Sequence, residues 1–364
     1  MKICCFHPAL APYRVDFFNA FAERYDLHLI LLGRNVQEQQ FDQKALLGEL
    51  RCRVSYLLSG FVFRQRYLRF GVLRLVHKEH PDAVISYEFS LITVVLILGR
   101  LFLRMRYKLY TMTDDNAELF AKCNGLRRMV RNFALRYLDG CFIVDERVKA
   151  QMAAISGSSD FDVVTVPIVY DERRFRRDAD RIFQRAVSWR GENLVLGEKS
   201  VFFVGRLEEV KNLQWLIRCA ASYKWPSRCK LFLVGDGSQR CSLDNLIQRL
   251  SLEQRVHLLG RKEGDALHVL FAAADVVVLC SHQETFGAVV AEGLQWGCTA
   301  LVSESVGAKT LIRPGVNGGV FPSNDEDVFL KELARLVEYQ KPWAANRPSL
   351  SPVRLDEALT KFKL

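Results

Sequence analysis

The sequence predicts an α/β protein of two Rossmann-like, doubly wound domains facing a cleft. Three observations carry this expectation. Apolar runs of strand length alternate with helical segments in two successive sets. Several of these runs end in turns rich in glycine or proline that lead into a helix, the layout of a parallel sheet with crossover helices. At 364 residues the chain is too long for one compact core and suits two domains of ordinary size. In the first set, strands are expected at 2–6, 27–32, 83–86, 108–112, 141–144 and 163–166. From Pro167 to about Gly197 no clear strand is seen, and this stretch, with its basic run Arg173-Arg174-Phe175-Arg176-Arg177, is expected to hold the domain connection. The second set begins near residue 200 and ends near 322. The expected domains are 1–180 and 181–345, followed by a terminal helix within 346–364.

Composition narrows the class. With 49% hydrophobic and 25% charged residues the chain is globular. Ten cysteines include no CxxC pair and no regular spacing, which argues against a zinc site or disulfide framework and for reduced, buried thiols of a cytoplasmic protein. Met1-Lys2-Ile3-Cys4-Cys5-Phe6 runs straight into His7-Pro8, without a signal-peptide layout. The net charge of +10 is uneven, because residues 51–150 hold 18 Lys and Arg against 9 Asp and Glu. Within that stretch Phe61-Val62-Phe63-Arg64-Gln65-Arg66-Tyr67-Leu68-Arg69-Phe70 interleaves bulky apolar and basic residues. The stretch from Leu91 to Arg106 is apolar and then basic. Its apolar run is too short for a bilayer span, which needs about 20 residues. Two readings stand for it: a basic helix lying on an anionic membrane surface, such as the inner face of the plasma membrane, or a buried helix with a solvated basic end. No nucleic-acid motif accompanies the basic patch, and nucleic acid is not expected as a partner.

The most informative segment runs from Cys280 to Gly293. It follows the β-branched run Ala274-Asp275-Val276-Val277-Val278-Leu279 and contains Glu284, Thr285, Phe286, Gly287 and Glu292. A helix starting near Thr285 would turn the backbone N–H groups of Thr285, Phe286 and Gly287 toward a pyrophosphate, and Gly287 would let it approach. Eight helical residues would separate Glu284 from Glu292 by roughly 12 Å. That is comparable to the span from the hexose to the ribose of a nucleotide sugar. Two glutamates at this spacing are also ordinary on a solvated helix face.

With this Glu, seven residues and second Glu, the chain resembles the C-terminal domain of the family 4 retaining glycosyltransferases of GT-B fold. Upstream, Ser200-Val201-Phe202-Phe203-Val204-Gly205-Arg206 and the loop to Lys211 are similar to the family's strand and loop whose Arg and Lys reach the donor diphosphate. Lys230 to Gly237, with Gly235, resembles the next strand and glycine turn. Arg255 to Arg261 resembles a third, whose loop lies near the nucleotide base and to which Arg261 is assigned. The resemblance is dense from about 200 to 325. It implies a donor site of Arg206, Lys211, Glu284 and Glu292, no metal or other cofactor, and a terminal helix crossing back to the first domain.

The amino-terminal motifs are placed by topology. Tyr13 and Arg14 follow the first strand within Pro8-Ala9-Leu10-Ala11-Pro12-Tyr13-Arg14, where bacterial relatives carry a similar Pro-Tyr-Arg run and the family's glycine-rich loop is absent. Arg14 is read either as a contact to phosphate or an acidic acceptor, or as a helix-start salt bridge. Asp114 and Asp115 follow another strand, where relatives often place a His near the reacting sugar. One could take the acceptor's proton or bind its hydroxyl; one could instead cap the helix beginning at Ala117. Glu88 ends a further strand and is a candidate for the acceptor pocket. Asp160-Phe161-Asp162 has the spacing of a metal clamp but precedes a strand of the first domain and is read as surface. The expected activity is that of a retaining, metal-independent glycosyltransferase (hexosyltransferase type). It would move a sugar from a nucleoside-diphosphate sugar to a hydroxyl of a glycan or lipid-linked glycan in cell-surface polysaccharide (lipopolysaccharide or capsule) biosynthesis. A non-catalytic nucleotide-binding scaffold and a GT-B epimerase are the alternatives.

Overall fold

The computed structural model describes residues 1–35, 41–63, 66–338 and 347–362. Arg64 and Gln65 of the interleaved segment, and the expected boundary at 345/346, lie outside them. The chain forms two compact units, Met1–Asp171 with Arg354–Leu364, and Glu172–Val353. Each is an α/β unit built on one parallel sheet.

In the first unit the strands are β1 (Lys2–His7), β2 (Asp26–Leu31), β3 (Arg53–Tyr56), β4 (Gly60–Phe63), β5 (Arg66–Arg69), β6 (Ala83–Tyr87), β7 (Lys108–Thr113), β8 (Gly140–Ile143) and β9 (Asp162–Thr165). Seven of them form a sheet in the order β3-β2-β1-β6-β7-β8-β9. β1 is covered on both faces, so Ile3, Cys4, Cys5 and Phe6 are all buried, and it reads as a continuous apolar run. β4 and β5 stand apart as an antiparallel hairpin. β3 and this hairpin were not anticipated from the sequence. The helix Leu91–Leu103 is partly buried: Ile92, Leu96 and Ile97 enter the core, while Leu98, Leu101, Phe102 and Leu103 are exposed. The helix Leu355–Thr360 packs on the helix Pro12–Ala22, and Phe362 meets the rings of Phe142 at 4.8 Å and Tyr110 at 5.2 Å.

The second unit holds β10 (Lys199–Val204), β11 (Cys229–Val234), β12 (Val256–Gly260), β13 (Val276–Leu279), β14 (Thr299–Ser303) and β15 (Gly318–Phe321), ordered β12-β11-β10-β13-β14-β15. The apolar runs that marked these strands are buried almost throughout. The connection region contains the helices Glu172–Phe175 and Ala179–Asn193 and no strand. The cysteines are free, and all but Cys241 and the half-buried Cys52 are buried. Among the described residues, no helix is long and apolar enough to cross a membrane.

Candidate functional sites at the two switch points

In an open parallel sheet a crevice forms at the carboxyl ends of the strands where successive connections run in opposite directions. In the second unit β10 pairs with β11 on one side and β13 on the other, so this point lies between β10 and β13. The loops that leave these two strands meet there. Lys211, in the short turn Glu209–Lys211 after β10, forms an ion pair with Glu284 from the loop after β13. Their side chains are 13% and 19% exposed, enough shelter to strengthen the pair while leaving it reachable. The backbone stitches the same loops together, with the His282 amide donating to the Val210 carbonyl at 2.9 Å.

Gly235 explains how β11 joins this rim. A Cβ there would sit 1.8 Å from the Gly205 carbonyl oxygen, so the turns after β10 and β11 touch backbone to backbone. The Ser238 hydroxyl and amide donate to Glu208 at 2.6 and 3.2 Å, holding that carboxyl below its usual range and fixing the loop that carries the exposed Arg206.

The segment after β13 departs from the sequence expectation. The helix is Ala288–Gln295, with Gly287 as its N-cap in the left-handed region at φ 95°. It does not start near Thr285. Residues 284–287 are instead clamped against the loop after β14. The Glu284 amide donates to Ser305 O at 3.3 Å, and the Gly307 amide donates back to Glu284 O at 3.0 Å. Thr285 is exposed, whereas the Phe286 side chain is buried and offers only backbone to a ligand. Glu292 falls in the second turn of the helix and is half-buried. Only four residues of helical rise separate it from Ala288, so the roughly 12 Å figure for a continuous helix does not apply. Arg261 leaves edge strand β12, two strands from β10, and is ion-paired with Glu263 in an exposed position.

The first unit has its own switch point, between β1 and β6. Arg14, 4% exposed, pairs with Asp114 beyond β7, and Asp114 also accepts from the Tyr87 hydroxyl at 3.3 Å. Arg14 is therefore not a local helix-start bridge; it ties the turn after β1 to the turn after β7. Neither aspartate caps the next helix, because the Asn116 side chain accepts from the Leu119 amide at 2.9 Å and occupies that role. Asp115 is buried and faces the Arg127 guanidinium at 3.5 Å; burial raises its pKa, with Arg127 opposing. Glu88 is half-buried with φ 52°, and its carboxyl is pushed up to about 7, by burial first and then by the charges of Asp115 and Asp114. Tyr13 is half-buried, and burial and then Asp114 raise its phenol.

His7 was not singled out by sequence reasoning. It is the last residue of β1, buried, with Nδ1 donating to the Ala9 carbonyl at 2.8 Å. Burial, then the Arg14 cation, push its pKa down to about 3, so the ring is neutral and Nε2 is an acceptor. That buried atom meets no hydrogen-bond partner among the described residues. Its position at the end of the strand beside the switch point was the signal that could have found it. Arg127 was likewise unassigned, since only the fold brings it to Asp115. Among the described residues, no three His, Cys, Asp or Glu side chains are grouped as a metal site requires.

Residues 188–347 match the family model described as Glycosyl transferases group 1. The chain is 36% identical over 132 residues to an uncharacterized glycosyltransferase of Methanocaldococcus jannaschii, covering 36% of this chain and 34% of that one. The aligned region spans only about a third to two fifths of the first curated relatives. Among solved structures, Anabaena HepE in complex with UDP superposes with a TM-score of 0.69 at 20% identity, over 100% of this chain and 96% of that one. The lipopolysaccharide outer core galactosyltransferase WaaB gives 0.67 at 18% identity, over 93% and 90%. At these identities the likeness shows the fold, which is that of GT-B proteins with two Rossmann-like domains.

Proposed function

We propose that this chain is a retaining glycosyltransferase. It moves a sugar from a nucleoside-diphosphate sugar to a hydroxyl of a glycan or lipid-linked glycan in cell-surface polysaccharide biosynthesis, at the cytoplasmic face of the membrane. The observation that carries the reading is the sheltered Lys211–Glu284 pair at the switch point of the unit that matches the family model. In the reaction the bond from the anomeric carbon to the diphosphate oxygen breaks. The acceptor oxygen bonds to the same face, and its proton passes to the departing phosphate. Lys211 and Arg206 stabilise the charge that grows on the diphosphate, the role a metal plays elsewhere. On donor binding Glu284, which pairs with Lys211, also accepts hydroxyls of the donor sugar, while Glu292 takes the ribose. Backbone of Thr285, Phe286 and Gly287 and the first amides of the helix at Ala288 line the phosphates. Arg14, Asp114, Asp115 and Glu88 belong to the acceptor side. Contact of the basic first unit with an anionic membrane is part of the same reading.

The printed title of the HepE complex makes UDP the first nucleotide to try. A thermal-shift series of the full chain with UDP, GDP, ADP and CMP and their common sugars, with and without EDTA, tests the proposal. Ligand at 100 times its dissociation constant stabilises by about 2.7 kcal/mol. A shift with one nucleoside diphosphate that survives EDTA is expected. No shift with any of them would favour a scaffold without turnover.

A further inference from the structure

The β4–β5 hairpin leaves its apolar side chains in water. Phe61, Val62 and Phe63 are 56%, 46% and 63% exposed. The register places Phe61 opposite Leu68 and Phe63 opposite Arg66, so one face of the ribbon carries two aromatic rings, a leucine and an arginine. The other face is fastened to the unit. Arg69 donates to the Leu32 carbonyl at the carboxyl end of β2, and Tyr67 lies so close over Gly33 that a Cβ there would come within 2.8 Å of its hydroxyl. The hairpin is thus fastened at the carboxyl end of the sheet, the end where Arg14, Asp114 and Glu88 stand.

The helix Gly125–Leu135 reaches the same edge, through Arg127 on Asp115. It exposes Leu126 at 71% and Met129 at 69%, beside Arg127 and Arg128. A Cβ at Gly33, under Tyr67 of the hairpin, would also come within 3.2 Å of the Pro8 carbonyl just beyond β1, and Arg127 brings the helix to Asp115 just beyond β7, so both apolar displays stand at the carboxyl ends of the same sheet. Exposed aromatic and aliphatic side chains interspersed with arginine match the interface of a bilayer, where rings sit among headgroups and each cation meets an anionic lipid. The stretch 51–150, with 18 basic against 9 acidic residues, supplies the complementary sign.

We infer that the outward face of the β4–β5 hairpin and the first turns of the helix Gly125–Leu135 form a docking surface for an anionic lipid bilayer. This surface presents the carboxylates of the first unit to a hydroxyl close to the headgroups. The inference extends the proposed function by naming where the membrane contact lies, and its test uses no nucleotide. Full-length protein is floated with vesicles of phosphatidylcholine alone and with about 30 mol% phosphatidylglycerol, at about 0.1 M and about 1 M salt, where the screening length falls from about 10 Å to about 3 Å. Binding is expected to the anionic vesicles at low salt, and to be lost at high salt. The double variant Phe61→Ser/Phe63→Ser, and separately Met129→Ser, should bind at least about 10-fold more weakly. Leu196→Ser, at a 92% exposed position of the second unit, should bind as wild type. Absence of binding by wild type would overturn the inference. So would equal binding to neutral vesicles, or undiminished binding by the hairpin variant. Thermal melts with and without UDP on the same proteins separate the two ideas, since a lost nucleotide shift with intact flotation would sink the donor site and leave the docking surface standing.

Discussion

The two sheets share one order over six strands, to which the first adds β9, and both gather charged residues at the switch point, yet they use charge in different ways. In the second unit a lysine and a glutamate meet at the switch point, held by loops that backbone contacts tie together. In the first unit three carboxylates, Glu88, Asp114 and Asp115, gather with Arg14 and Arg127, and side chains make most of the ties. A backbone-built rim suits a ligand part with fixed shape, such as a diphosphate. A side-chain-built rim can be altered by substitution without disturbing the sheet.

The largest effect expected from breaking this comparison is on the first unit. Asp114→Ala leaves the Arg14 cation buried without its partner, and removal of one member of a buried pair costs about 3–5 kcal/mol. Chemical denaturation should show the loss, while the UDP-induced shift assigned to the second unit persists in whatever protein remains folded. Next comes Lys211→Ala. Steady-state assays should show turnover at least about 100-fold lower, near 2.7 kcal/mol of transition-state stabilisation, with little change in melting temperature. Turnover equal to wild type would remove the charge-stabilising role. The smallest effect concerns pH. Glu88 titrates near neutrality in the folded chain, above its ordinary value of 4.5. Between those values the native state binds more protons than the unfolded one, so the contribution to stability is full below about pH 4.5 and is lost as pH rises through about 7. With partial exposure allowed for, the change is on the order of 2 kcal/mol. Melts across this window should show Glu88→Gln flatter than wild type; parallel curves would mean that Glu88 titrates normally.

The strands of the second unit were legible because they are short apolar runs, several of them closed by glycine, as in Phe202 to Gly205 and Leu231 to Gly235. The start of the helix after β13 was misplaced by three residues. What stops it is the bonding of Glu284 to Ser305 and Gly307, some twenty positions away, which no local pattern contains. In the first unit β3 was missed because Arg53-Val54-Ser55-Tyr56 is a half-polar edge strand. The hairpin was missed because the sequence between its strands, Arg64-Gln65, carries no glycine, asparagine or aspartate. A local mark did exist at Gly60, where φ is 123° and a Cβ would lie 2.1 Å from the Leu68 carbonyl oxygen. The residue types of the charged group in the first unit were visible, but the pairing of Arg14 with Asp114 spans 100 positions and had to come from the fold.

The return of the chain to the first unit has a consequence for biosynthesis. Phe362 completes an aromatic cluster with Phe21, Tyr110 and Phe142, although the chain leaves that unit at Asp171 and rejoins it at Arg354. On a ribosome adding about 5–20 residues per second, roughly 10–40 s separate the two events. The second unit is contiguous and can fold as soon as it emerges. The first must wait with those rings uncovered until the helix Leu355–Thr360 and Phe362 emerge, so the unit begun first is completed after the unit begun second.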